Sequence, residues 1–541
     1  MTRHRFGSSV PAAMFFVLFL FAGLAASAAP AGTPCEKLKD LTIPNVTITA
    51  ATSVAAGQFT PPGPGSERPM QVPAFCRVEG EANPTSDSSI KFEVWIPPSD
   101  SWNGKFEGVG NGGYQGNISY PAMATVLRLG YATASTDTGH TGDDLRFGEN
   151  HPEKVVDWAY RAIHVTAEAS KLIVRDSEGR FPDHSYFDGC STGGHQALSE
   201  AQRFPDDYDG IIAGDPAYDR IRQTAAYLWS WIATHDDNGV SLLTNAKMKF
   251  VTKSAVAACD AIDGVKDGVI GDPRRCHFDP SSLACKGAET DTCLTTAQVN
   301  ALKKVYRGLH NPRTGEEIFP GWSVGSEGFG DSPAMGWGAY ILNPKEPMRI
   351  DVYRLFLFND PNWDWHTVDF DRDVAYADQK LGFMSAVNYD LTGFKARGGK
   401  LVMYTGWADP VAAPLDVLKY YENVMKKMGG VEKTQEFYRF FMVPGMGHCG
   451  GGPGPNTFDM QTVLESWVEH GKAPEKVIAS HSTNGQTDRT RPLCPYPQAA
   501  KWSGTGSTDV AANFTCVNPG SVSVPTSGSV QASQPILAQK K

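Results

Sequence analysis

A serine set between glycines, an acid in one loop and a histidine in another are the residues of this chain best suited to chemistry. Gly189-Cys190-Ser191-Thr192-Gly193 has the Gly-x-Ser-x-Gly pattern, in which a sharp strand-to-helix turn lifts the serine hydroxyl above a sheet. The glycines are needed because the turn leaves no room for side chains and demands unusual backbone angles. Asp409, in GKLVMYTGWADP (399–410), and His448, in FYRFFMVPGMGHCGGG (437–452), each close an apolar, strand-like run. Serine, then acid, then histidine is a known chain order for a nucleophilic triad. In such a triad His448 takes the proton of Ser191, and Asp409 holds the imidazole tautomer and stabilises its charged form. The five-residue serine pattern alone is weak; its strength comes from the strand before it, the helix after it and two partners at strand ends.

Attack on a carbonyl creates negative charge, which two backbone N–H groups must meet. Thr192, the residue after the nucleophile, is expected to supply one. The second is assigned to Gly112, with Gly113 as the fallback, in GVGNGGYQGN (108–117) behind the strand KFEGV. Cys190 precedes Ser191 and Cys449 follows His448. If Ser191 and His448 touch, these cysteines must lie within bonding range, because consecutive alpha carbons are only about 3.8 Å apart. A Cys190–Cys449 bridge would tie the histidine loop to the serine turn. A third constellation is CDAIDGVKDGVIGDPRRC (259–276), with Asp260, Asp263 and Asp267 among Gly264 and Gly268. Alternating acids and tight turns let oxygen ligands converge on a hard cation, which favours calcium over a transition metal. The spacing is not that of an EF-hand.

These residues need strands and helices to position them. Strand-like runs occur within 41–55 and at 92–95, 105–109 and 131–135. VVDWAYRAIHVTAEASKLIV (155–174) has helical spacing, HSYFDGCS runs as a strand into the serine turn, and HQALSEAQRF continues as a helix. Strand and helix alternate again from 399, and 458–470 reads as a closing helix. Such alternation predicts a mostly parallel sheet with helices on both faces. Between about 214 and 397 the texture changes to fewer strand runs, four cysteines and many Trp, Gly and Asp residues, which reads as an inserted lid domain with the calcium loop. The catalytic domain is then 29–213 with 398–516, and the Ser-rich end, 517–541, reads as a disordered tail.

The N-terminus carries Arg3 and Arg5, an apolar run over 12–24 and Ala26-Ser27-Ala28, the pattern of a cleavable secretory signal over 1–28. Its removal takes the net charge from −10 to −12, since two arginines and no acids are lost. No basic stripe interleaved with aromatics points to nucleic acid, and no later stretch is apolar enough to span a membrane. The 10 cysteines all follow residue 28; an even number in an exported chain reads as five disulfides, while the absence of any CxxC argues against zinc. A secreted or periplasmic location is expected.

The Cys-Ser, Asp and His-Cys elements, together with GNGGYQG, STDTGH, GCSTGGHQAL, GDPA, DGVKDGVIGDP, GWADP and PGMGHCGGG, resemble the tannase and feruloyl esterase family of α/β-hydrolases, secreted serine esterases with a lid. The resemblance runs from about Cys35 to Cys516. It implies an α/β-hydrolase fold, the triad Ser191, Asp409 and His448, and the Cys190–Cys449 pair. It also implies structural Ca2+ held by Asp260, Asp263 and Asp267 with the carbonyls of Val265 and Val269. With proximity in the chain, it implies the pairs Cys35–Cys76, Cys259–Cys276, Cys285–Cys293 and Cys494–Cys516. One departure is visible: members often carry His-Gly before the loop acid, where this chain has Thr405-Gly406-Trp407.

The expected activity is hydrolysis of phenolic acyl esters, of the feruloyl esterase or tannase type, through an acyl-serine. The substrate is a small aromatic ester, free or attached to plant polysaccharide or polyphenol. Trp322, Phe329, Trp337 and Tyr340 are candidates to stack on its ring, although each is also a natural core residue. A terephthalate monoester hydrolase is the alternative; the absence of Lys or Arg between Trp322 and Tyr340 argues mildly against it, because a free carboxylate favours a cationic clamp. Acyl transfer to an alcohol would use the same intermediate. A catalytically silent, calcium-stabilised binding protein is the alternative of another class, and an intact triad speaks against it.

Overall fold

The structure, a computed structural model, describes residues 32–62, 68–328, 336–342 and 344–519. The signal segment, Phe329 and residues 520–541 of the expected tail lie outside the described residues. Nine strands form one sheet: β1 (Val46–Val54), β2 (Phe75–Ala82), β3 (Ile90–Ile96), β4 (Lys105–Val109), β5 (Ala132–Thr136), β6 (His184–Cys190), β7 (Gly210–Gly214), β8 (Lys400–Gly406) and β9 (Tyr438–Val443). Their order is β1-β2-β3-β5-β4-β6-β7-β8-β9. The first three strands and β5 pair antiparallel, and the rest of the sheet is parallel. This is the α/β-hydrolase fold.

The strands alternate their side chains between two helical layers, as a period of two dictates. Phe187, Ile211 and Leu401 face a core with α2 (Ala162–Glu178), α3 (Thr192–Arg203) and α7 (Pro414–Met428). Their chain neighbours Tyr186, Ile212 and Val402 face a second core with α1 (Tyr120–Arg128) and α8 (Met460–His470). Because helices cover both faces, the central strands are apolar throughout, and GIIAG of β7 is buried at every position.

Between β7 and β8 the chain leaves the sheet for residues 215–399, so Gly214 belongs to the sheet and the insertion ends slightly later than its texture predicts. It contains α4 (Arg220–Thr234), α5 (Asn245–Cys259) and α6 (Thr296–Arg307). Leu228, Val251, Leu302, Trp322, Trp337 and Tyr353 form its core, which also takes Tyr114 and Trp158 from the sheet side. After α8 come two hairpins absent from the sequence reading, Val477–Thr483 with Gln486–Leu493 and Ala499–Trp502 with Phe514–Val517. The strand ending at Val517 moves the start of the tail beyond 517. The helix expected over 155–174 is divided: a wide π-type turn over Asp157–Arg161 joins Pro152–Val156 to α2. The five disulfides join the pairs given above, with Cys190–Cys449 spanning a sequence separation of 259.

Candidate active site

Ser191 sits immediately beyond β6 with φ 65°, in the left-handed region that a non-glycine residue enters only when its surroundings hold it there. The glycines around it allow close approach. A Cβ on Gly189 would lie 2.6 Å from the backbone of Gly193, and one on Gly194 would lie 2.3 Å from the carbonyl oxygen of Gly214. Asp409 follows β8 and His448 follows β9, so all three side chains come from the carboxyl ends of parallel strands, where open α/β sheets place their sites. His448 Nε2 lies 2.7 Å from Ser191 Oγ, and His448 Nδ1 lies 2.8 Å from Asp409 Oδ2. Asp409 is buried, and its Oδ1 accepts the N–H groups of Val411 (2.6 Å) and Ala412 (3.0 Å). The acid is thus held by its own loop before it meets the imidazole, leaving one oxygen free to orient the ring.

The early glycine loop lies against the serine turn. Gly193 N–H donates to Asn111 O at 2.8 Å, and Thr192 Oγ1 donates to Gly113 O at 2.6 Å. Thr192 opens α3, where N–H groups of the first turn lack intrahelical acceptors. Among the described residues no acceptor takes the Gly112 N–H. Arg220 of the insertion, absent from the sequence reading, donates from Nη2 to Thr192 Oγ1 at 2.6 Å, and its guanidinium stands 5.7 Å from the centre of the Tyr114 ring and 5.2 Å from that of Trp158. It therefore fixes Thr192 and, through it, Gly113.

Tyr114, Tyr227 and Tyr340 of the neighbouring core stand close to the early glycine loop and the Asp409 loop, with a second arginine, Arg349. Tyr227 Oη donates to Val411 O at 2.7 Å, two residues after Asp409, and its ring lies 5.5 Å from that of Tyr340. Burial raises the pKa of both phenols, with the Asp409 charge adding to the effect, so both stay neutral hydrogen-bonding groups. Arg349 stands 5.1 Å from the centre of the Tyr114 ring and pairs with Asp143 Oδ2 at 3.0 Å. A Cβ on Gly113 would lie 3.2 Å from its Nη2. Of the aromatic candidates, Trp322 and Trp337 are core residues that donate their indole N–H to Ser230 Oγ and Ser323 O. Tyr340 is partly buried against the same core. Trp407 is buried, with Arg274 5.5 Å from its ring centre.

A second carboxyl stands behind the triad. Asp215, seen in the sequence only within GDPA, is fully buried at the end of β7 with a φ of 36°. Its Oδ1 accepts Gly406 N–H at 2.8 Å and its Oδ2 accepts Cys449 N–H at 2.9 Å. Polar atoms of Asp215, Asp409 and His448 all lie within 4.8 Å of one another. Burial first, and then the Asp409 charge, push the Asp215 pKa far above the usual carboxylate range.

In the acidic loop, Asp260 accepts the N–H groups of Asp267 (3.1 Å) and Gly268 (3.0 Å), and Asp263 accepts that of Val265 (2.9 Å). Burial and the neighbouring acids raise the pKa of Asp263 and Asp267, while Arg491 meets Asp267 Oδ2 at 2.5 Å. Three crowded carboxylates in a loop clamped by Cys259–Cys276 fit a hard divalent cation in donor chemistry. Their oxygens do not all fall within 4.8 Å of one another, because Asp260 turns to the loop's own amides and Asp267 to Arg491.

The sequence profile of tannase and feruloyl esterase matches residues 76–517. The chain belongs to this family. It is 40% identical over 544 residues to an uncharacterised esterase of Xanthomonas campestris, covering 92% of this chain and 93% of that one. It is 32% identical to the mono(2-hydroxyethyl) terephthalate hydrolase of Piscinibacter sakaiensis, covering 90% and 92% of the two chains. The crystal structure of feruloyl esterase B from Aspergillus oryzae superposes with a TM-score of 0.82 at 30% identity, over 89% of this chain and 99% of that one. This tannase and feruloyl esterase family member is a carboxylic ester hydrolase.

Proposed function

We propose that the protein hydrolyses esters of phenolic acids through an acyl-serine, with Ser191 as nucleophile, His448 as general base and acid, and Asp409 as its partner. The observation that carries this reading is the continuous chain from Ser191 Oγ to His448 Nε2 (2.7 Å) and from His448 Nδ1 to Asp409 (2.8 Å). His448 takes the hydroxyl proton as Ser191 Oγ attacks the ester carbonyl. The oxyanion is met by the N–H groups of Thr192 and Gly112, and His448 returns the proton to the departing alcohol. Water, deprotonated by His448, then attacks the acyl-serine; the acid leaves and Ser191 recovers its proton.

Tyr114, Tyr227 and Tyr340 are suited to an aromatic acyl group: rings to stack on and neutral hydroxyls for ring substituents. The substrate is then a simple phenolic ester or one carried on a plant polysaccharide or polyphenol. Arg349 favours a second reading, an aromatic ester with a free carboxylate such as a terephthalate monoester. The cation missing between Trp322 and Tyr340 comes from further along the insertion. Assays of the mature enzyme on methyl ferulate, methyl gallate and mono(2-hydroxyethyl) terephthalate separate these substrates. Loss of turnover in Ser191→Ala tests the triad, and retained turnover sinks it.

The insertion acts as the lid, with 29–213 and 398–516 as the catalytic domain. Five disulfides support export to the periplasm or the medium, where they persist. Asp260, Asp263 and Asp267, with the carbonyls of Val265 and Val269, hold Ca2+, which relieves repulsion among the acids and plays a structural part only. No observation favours the silent binding-protein alternative.

A further inference from the structure

Asp215 touches the chain at all three corners of the site. One oxygen accepts the N–H of Gly406, three residues before Asp409. The other accepts the N–H of Cys449, next to His448, and lies 3.8 Å from Cys190 Sγ, next to Ser191. Asp215 is fully buried, and the titratable groups facing it are Asp409, His448 and, from β8, Tyr404. Both cysteines beside it are in the disulfide and do not titrate.

Two buried carboxyls this close cannot both be ionised, because like charges at such range in a low dielectric repel strongly. Each carboxyl takes two amide N–H groups, but only Asp409 also faces the imidazole of His448. The proton of the pair therefore belongs on Asp215. A carboxylic acid has an acceptor site on each oxygen and one O–H to donate. An amide of the same size can donate toward Asp409 but has a single acceptor for the two N–H groups.

We propose that Asp215 is a positioning residue of the triad: a neutral carboxylic acid that donates its proton to a hydrogen bond with Asp409 while its two oxygens hold the loops bearing Asp409 and His448. By sharing part of the Asp409 charge it also moderates the basicity of His448. The inference rests on the triad reading above, and Ser191→Ala separates the two. An active Ser191→Ala enzyme overturns the triad; an inactive one beside unchanged Asp215 variants overturns only the role of Asp215.

The test is the pH dependence of kcat and kcat/KM for Asp215→Asn and Asp215→Ala on a neutral phenolic ester. In Asp215→Ala the Asp409 charge is undiluted and imidazolium is favoured. The acid limb, set by His448, should move to higher pH, with kcat down about 10- to 100-fold and KM within about twofold. Asp215→Asn keeps a neutral donor to Asp409, so it should recover part of kcat and leave the acid limb in place. A limb that moves to lower pH by about a unit or more in Asp215→Asn means that a negative charge was removed, which overturns the proposal. So do wild-type kinetics in Asp215→Ala.

If neither variant folds, the wild-type enzyme carries the test. Infrared difference spectra on phosphonylation of Ser191, which leaves His448 protonated beside Asp409, should perturb the carbonyl band of a protonated carboxylic acid. An undisturbed band overturns the assignment.

Discussion

Removing the Cys190–Cys449 bridge separates what a disulfide does for the fold from what it does for the site. Its two cysteines are 259 residues apart. The chain-entropy relation puts closure of such a loop at about 5.5 kcal/mol at 25 °C. Cys35–Cys76, with a separation of 41 and no contact with the triad, gives about 4 kcal/mol by the same relation. With an unfolding entropy near 2.1 cal/mol/K per residue, a chain of this size has roughly 1 kcal/mol/K in total, so Cys190→Ala/Cys449→Ala should melt about 5 °C lower and Cys35→Ala/Cys76→Ala about 4 °C lower. The melting losses are similar, but the kinetic losses should not be. Cys449 borders His448, and a histidine displaced by about 1 Å costs on the order of a hundredfold. At 25 °C, where both variants are folded, kcat/KM should fall about 10- to 100-fold in the first and stay within about twofold in the second. The assay is initial rates on a phenolic methyl ester beside thermal melts of the same preparations. Wild-type kcat/KM in folded Cys190→Ala/Cys449→Ala, or equal losses in both variants, would refute the view that this bridge positions the base.

Arg349→Ala should raise KM for a terephthalate monoester about tenfold or more while leaving the neutral methyl ester of the same ring within about twofold, as expected for loss of one charge-assisted hydrogen bond; an equal effect on both esters removes Arg349 from carboxylate recognition. Asp137 has its pKa pushed up to about 7, chiefly by burial, while its Oδ1 accepts the N–H groups of Lys91 and Gly139. A carboxyl raised in the folded state binds more protons there than in the unfolded chain, so its contribution to stability is fullest below about pH 4 and is lost as pH rises to about 7. Asp137→Asn keeps the acceptor and cannot ionise. Its melting temperature relative to wild type should therefore rise between about pH 5 and pH 8, and a constant difference contradicts the assignment. Chelation should lower the melting temperature while leaving kcat nearly unchanged at 25 °C. Added Ca2+ should restore it in wild type but not in Asp263→Asn, and an unresponsive wild-type melt argues against a bound ion.

The meeting of Ser191, His448 and Asp409 was legible because each closes a motif with its own strand signal, and because adjacency in the chain carries from Ser191 to Cys190 and from His448 to Cys449. The groups around it were not. GIIAG has neither alternation nor length, since a strand buried on both faces has no polar side, so the turn holding Asp215 had no strand to hang from. Arg220 and Arg349 come from an insertion whose helices pack on one another, and no sequence period shows that two of its cations turn back toward the sheet. Trp337 and Tyr340 are three residues apart there, and only the fold shows that the first is fully buried and the second partly.

What holds these parts together is visible in the backbone. Ser191, Asp215 and Cys449, none of them glycine, have φ of 65°, 36° and 59°. Such conformations cost on the order of 1–3 kcal/mol each and persist only where the surroundings over-determine them. Here the three constrain one another. Cys190–Cys449 fixes the serine turn to the histidine loop, the Asp215 carboxyl accepts Cys449 N–H, and Ser191 N–H donates to Gly214 O, next to Asp215, at 2.9 Å. The strained residues are therefore linked in a closed set, each held by a bond to another strained residue or its neighbour. A change at any one of them should reach the other two before it reaches the sheet. Under the proposed mechanism, the cysteine directly before Ser191 is then part of the catalytic geometry as well as part of the fold.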